Sequence, residues 1–114
     1  MADNKQYITQ VQENGSVKIS EDVVTTIVIH AIEEVEGVAP VPVRSDLLAK
    51  RKLVKIVIGQ DNALSIGVVI YVKFGNSVVE VAKAVQQNII ESVESMTGVK
   101  VLRVNVNVNG SAKQ

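Results

Sequence analysis

Between Leu64 and Asn109 the apolar residues change period twice, and this constrains the fold more than any other feature of the chain. Leu64, Ile66, Val68, Ile70, Val72 and Phe74 recur at every second position, the pattern of a strand with one buried face. Val78, Val81, Ala82, Val85, Ile89, Val93 and Met96 then recur at three- and four-residue steps, as on one side of a helix. Beyond them Leu102, Val104, Val106 and Val108 alternate with Arg103, Asn105, Asn107 and Asn109, so Val99 to Asn109 reads as a strand again. Val99 and Val101 are out of phase with that alternation, which predicts a bulge or a late strand start. A strand–helix–strand run crosses over right-handedly and leaves its two strands parallel.

The upstream chain adds an antiparallel neighbour and a second helix. Leu53 to Gly59 reads as a strand, and Gln60-Asp61-Asn62 as the turn into the long strand Ala63 to Phe74. Ser77 with Glu80 forms a capping box, and Gly98 ends that helix. Ser20 caps an earlier helix that opens with Glu21 and Asp22 and is expected to reach about Glu36, with Gly37 as its stop. Its apolar face is Val24, Ile27, Val28, Ala31 and Val35. Asn14-Gly15 between apolar runs predicts a hairpin joining Tyr7–Val11 to Val17–Ile19. Pro40 and Pro42 make Val38 to Val43 extended and place it at a sheet edge, and Arg44 to Lys52 is a basic connection. The expected fold is an α/β (α+β) two-layer sandwich, a mixed sheet with both helices on one face. At 114 residues this is a single domain, 7–110, between flexible ends 1–6 and 111–114.

Composition narrows the chemistry. There is no cysteine, which excludes disulfides, thiolate metal sites and cysteine nucleophiles, and His30 is the only histidine. Twelve Lys and Arg balance twelve Asp and Glu, unlike the basic excess of a dedicated nucleic-acid binder. The polar start Met1–Gln6 lacks the apolar run of a signal peptide, and Gly67–Val72 is far short of the ~20 residues that span a bilayer. The reading is a cytoplasmic protein with no direct membrane insertion.

Three segments resemble a known family. They are Gly15-Ser16-Val17-Lys18-Ile19-Ser20-Glu21-Asp22-Val23-Val24; Glu34-Val35-Glu36-Gly37-Val38; and Val93-Glu94-Ser95-Met96-Thr97-Gly98-Val99, leading into Val104 to Gly110. In order and register they are similar to the alkaline shock protein family of Gram-positive bacteria, also called the envelope stress response or YloU-type family. The resemblance implies a non-enzymatic protein of cell envelope homeostasis, membrane-proximal through a small membrane-anchored partner of the same family or operon. Another branch is linked to fatty-acid synthesis and acetyl-CoA carboxylase control. The resemblance supplies no catalytic residue and no cofactor. The chain departs from the family at Pro40-Val41-Pro42-Val43, where Gly-rich residues are commoner.

Several residues bear on binding. His30 with Glu33 and Glu34 could be weighed as a metal group, but a solvated helix flank explains them, and no metal site is expected. Glu33, Glu34 and Glu36 crowd the helix C-terminus, where the macrodipole disfavours anions. They and the basic run, including Arg51, either face each other within the chain, are merely solvated, or form complementary patches on neighbouring subunits or a partner. The face away from the helices should carry Lys55, Val57, Ser65, Val69, Tyr71, Lys73, Arg103, Asn105, Asn107 and Asn109. This is either an ordinary half-solvated sheet surface or a protein-binding patch anchored by Tyr71, with Arg103, Asn105 and Asn107 around it. Ile29 lies off the core face of the first helix and is expected to be a contact residue. An RNA-binding reading lacks both a Gly-x-x-Gly clamp and stacking aromatics. The sequence therefore points to a protein-interaction module that docks through its exposed sheet face and strand edges and associates with itself.

Overall fold

A computed structural model describes residues 7–40 and 50–112. The elements are β1 (Tyr7–Gln12), β2 (Gly15–Ser20), α1 (Glu21–Glu33), β3 (Val54–Ile58), β4 (Leu64–Lys73), α2 (Val78–Thr97) and β5 (Val101–Ala112), with a 3-10 turn over Gln60–Asn62 before β4. The main sheet has the order β3-β4-β5. β3 runs antiparallel to β4, and β5 runs parallel to it. Both helices pack on one face of this sheet, which is the two-layer sandwich the periodicities imply. β1 and β2 form a separate antiparallel ribbon.

The helix starts are set by their caps. The Ser20 hydroxyl accepts the Val23 N–H, and the Ser77 hydroxyl accepts the Glu80 N–H, each at 3.3 Å. Gly98 closes α2 in the left-handed conformation at φ 73°. α1 ends at Glu33, earlier than its sequence suggests, because the chain must turn back toward β4. The Lys73 N–H donates to the Gly37 carbonyl at 2.8 Å, and the Ala39 N–H to the Tyr71 carbonyl at 2.7 Å. Gly37 adopts φ 100°, and a Cβ there would stand 2.7 Å from Val81 Cγ2. The expected edge segment is thus seen at Val38, which bridges Val72; residues 41–49, including Pro42, lie outside the described residues.

The core is aliphatic. Leu64, Ile66, Val68, Ile70 and Val72 of β4 meet Val24, Val28 and Ala31 of α1 and Val85, Ile89 and Val93 of α2. Ile8, fully buried, brings the ribbon onto one end of this core. The Asn62 side chain donates to the Thr9 carbonyl at 2.8 Å and holds the ribbon to the 3-10 turn.

Four expectations require correction. Phe74 is 72% exposed, because β4 stops at Lys73 and the chain turns at Gly75, φ 98°. Met96 is 70% exposed, because the buried row of α2 advances in steps of four from Val81 to Thr97 and passes beside it. Leu102 is 57% exposed: Leu64 pairs with Val101 and Ser65 with Arg103, so Leu102 is the extra residue of the anticipated bulge. The expected hairpin forms, with Gln12 paired to Gly15 and Glu13 and Asn14 as its two loop residues. β5 also runs to Ala112, into the stretch expected to fray, while residues 1–6, 113 and 114 lie outside the described residues.

Candidate protein interface

The front of the main sheet, away from the helices, is built in cross-strand rows. Val57, Ser65 and Arg103 form one row, and Lys55, Gly67 and Asn105 the next. Val69 lies beside Asn107, and Tyr71 beside Gly110. The last pairing follows a second register shift, after Ile70, that sets Asn109 out of line; its amide donates to the Tyr71 hydroxyl at 3.2 Å. Lys55, Arg103, Asn105, Asn107 and Asn109 are exposed, Val57 is half exposed, and Ser65, Val69, Tyr71 and Lys73 are half-buried. The residues assigned to this face from alternation are therefore brought together on it.

Gly67 sits near the middle of this face. Its φ is ordinary, and a Cβ built there would meet nothing within 4 Å. No contact inside the chain requires a glycine at this position. A glycine inside a strand is found at bulges, at tight bends and where a ligand or another backbone approaches closely. Beside it, Val57, Val69 and Tyr71 offer apolar surface between uncharged amides.

The free edge of β5 is less open. On the helix side, Gln86 of α2 donates from Nε2 to the Val104 carbonyl at 3.0 Å and so occupies one edge acceptor.

Other predicted contact residues fall elsewhere. Ile29 is 6% exposed, which corrects its reading as an unburied contact. Its side of α1 faces a cavity of about 260 Å³ lined by Ile32, Val38, Leu53, Val54 and Tyr71 among others. The sequence hides this because the cover comes from residues 38–40 and 50–54, distant in the chain. Arg51 forms an ion pair with Asp22, and Lys50 with Glu33, so part of the basic run is answered within the chain; residues 44–49 of that run lie outside the described residues. Glu34 instead accepts from the Asn88 amide at 3.2 Å. Glu34, Glu36 and Glu91 line a shallow groove between the end of α1 and α2, together with Val35, Ala84 and Gln87.

Charge is distributed by layer. β3, β4 and β5 contain Lys55, Lys73 and Arg103 and not one Asp or Glu. The two helices hold Glu21, Asp22, Glu33, Glu80, Glu91 and Glu94 against a single lysine, Lys83. This segregation could have been found by counting carboxylates element by element. The zero net charge conceals it.

Among the described residues, no group of three or more His, Asp or Glu is placed to hold a metal ion, and no helix is long and apolar enough to cross a membrane. The model of the alkaline shock protein 23 family, described by its cell envelope-related function, matches residues 9–112, from the ribbon to the end of β5. The chain belongs to this family. Its cell envelope-related function is thereby the setting in which the front face has to be understood. No curated protein matches this family member significantly. Among solved structures, a MamM CTD variant is 16% identical with a TM-score of 0.50, covering 79% of this chain and 96% of its own. A MamM CTD variant in a copper form is 18% identical with a TM-score of 0.48, covering 78% and 95%. These likenesses concern the fold alone.

Proposed function

We propose that this alkaline shock family member is a non-enzymatic envelope stress response protein, a scaffold or adaptor that acts by binding other polypeptides. It works on the cytoplasmic side and reaches the membrane through a small membrane-anchored partner. The observation that carries the reading is the open front of the main sheet. One face of the sheet is sealed by α1 and α2, while the other presents Val57, Val69 and Tyr71 around the bare backbone of Gly67. A half-apolar face with a gap for an incoming group is suited to protein docking. Among the described residues, Asp22 and Glu33 form ion pairs, Glu94 accepts the Val101 N–H, and Glu34, Glu36 and Glu91 line a shallow groove.

The test is a tagged pull-down from native lysate, with and without detergent. A small membrane-anchored protein, retained in both conditions and lost from a Val69→Glu, Tyr71→Glu variant that still folds, supports the proposal. Retention of acetyl-CoA carboxylase subunits in its place would move the protein to lipid-synthesis control and overturn it. Salt-sensitive retention of RNA alone would do the same.

A further inference from the structure

One edge of β4 is shared by two distant parts of the chain, and a cavity lies where they meet. β3 pairs with β4 as far as Val54 opposite Val68, and the Leu53 carbonyl then accepts the Val69 N–H at 3.0 Å. From Tyr71 onward the same edge belongs to residues 37–39, with the Ala39 N–H donating to the Tyr71 carbonyl. The cavity at this junction, about 260 Å³, is walled by the aliphatic side chains of Ile29 and Ile32 of α1 and of Val38, Leu53, Val54 and Ile70. Folded cores leave few voids larger than a water molecule, so a space of this size calls for an occupant.

Its rim is charged with both signs. Glu33 and Lys50 line the cavity together and form an ion pair. Glu33 stands three and four residues after its neighbours on the wall, so it shares their side of α1. The pair joins Lys50 Nζ to Glu33 Oε2 and leaves the remaining ammonium protons and Oε1 to meet a ligand. The Glu33 side chain is 44% exposed and that of Lys50 28%, and an exposed pair holds its members weakly. Glu33 is also the last residue of α1, where the macrodipole favours a cation.

We infer that this cavity binds a free α-amino acid with an aliphatic side chain. The ligand carboxylate meets Lys50, its ammonium meets Glu33 and the end of α1, and its side chain fills the aliphatic space. A rim bearing both signs selects such a zwitterion over a fatty acid, which Glu33 repels, and over a simple amine, which Lys50 repels. The volume exceeds the roughly 150 Å³ that holds benzene in an apolar core and falls below the roughly 300 Å³ at which drug-sized sites begin. This site goes beyond the docking role of the front face, and the pull-down that tests that role does not bear on it.

Calorimetric titration and thermal melting of the whole chain test the inference. L-Leucine should bind with a Kd of about 1 mM or tighter and raise the melting midpoint. Glycine lacks the side chain, 3-methylbutylamine the carboxylate and 4-methylpentanoate the ammonium, and each should bind at least about tenfold more weakly. Glu33→Gln and Lys50→Gln should each weaken leucine by a similar factor with the far-UV circular dichroism unchanged, since an exposed ion pair contributes little to folding. Ile29→Phe should fill the cavity and abolish binding. Absence of both heat and a melting shift at about 10 mM leucine overturns the inference. Leucine binding that survives both charge variants overturns it as well. Tighter binding of 4-methylpentanoate or a longer fatty acid would make this an acyl-chain site, and the inference fails. Binding seen only in a Leu47→Ser, Leu48→Ser chain would make the chain its own occupant, with the same result.

Discussion

Two glycines of this chain make opposite demands. Gly37 carries a positive φ and lies against Val81, so Gly37→Ala should cost about 1–3 kcal/mol from backbone strain alone, seen as a lower urea midpoint. Gly67 has neither constraint, and Gly67→Ala should change stability by no more than about 0.5 kcal/mol while crowding whatever docks on the front. Thr97 is a third informative position. Its hydroxyl donates to the Val93 carbonyl at 2.6 Å and accepts the Val99 N–H at 3.1 Å. Thr97→Val keeps the shape but strands that N–H in a buried site, at a cost of about 1–3 kcal/mol in chemical denaturation. At this scale the sequence is legible where the interaction is local. Ser20 and Ser77 announce their caps because the acceptor and the N–H it satisfies are three residues apart. Ile29 is not legible, since its cover comes from distant segments that return to the helix.

Among the elements, the strand–helix–strand unit is the most readable, because each period persists over enough residues to fix a buried face. The bulge at Leu102 is visible as a change of phase, although which residue is extruded follows only from the pairing with β4. The β1–β2 ribbon shows a different dependence. A two-stranded ribbon alone is marginal in water. This one is held by the fully buried Ile8 and by the Asn62 amide on Thr9, while Val11 near its tip is 84% exposed. Ile8→Ala should therefore cost about 2–5 kcal/mol and speed amide exchange throughout the ribbon. Val11→Ser should leave the urea midpoint unchanged to within about 0.5 kcal/mol.

For the molecule as a whole, the two-layer arrangement follows from apolar periodicity, but its polarity does not. Net charge sums over faces and reports zero, whereas the layers carry opposite signs. Placing each charge requires knowing which side of the sheet its residue takes, and that is fixed only once the helices are packed. Because Lys55 and Arg103 form no ion pair among the described residues, Lys55→Glu with Arg103→Glu should shift the thermal midpoint by less than about 4 °C. A larger loss would mean that the front supports the fold itself.

The side chain of Gln86 has a consequence of a different kind. A long outer strand bearing a single formal charge, alternating valine with asparagine, is the sort of template on which amyloid grows. With its amide clipped over the Val104 carbonyl, α2 acts as a gatekeeper, and an incoming strand must first displace it. At high protein concentration that contact guards the edge against growth into irreversible fibres.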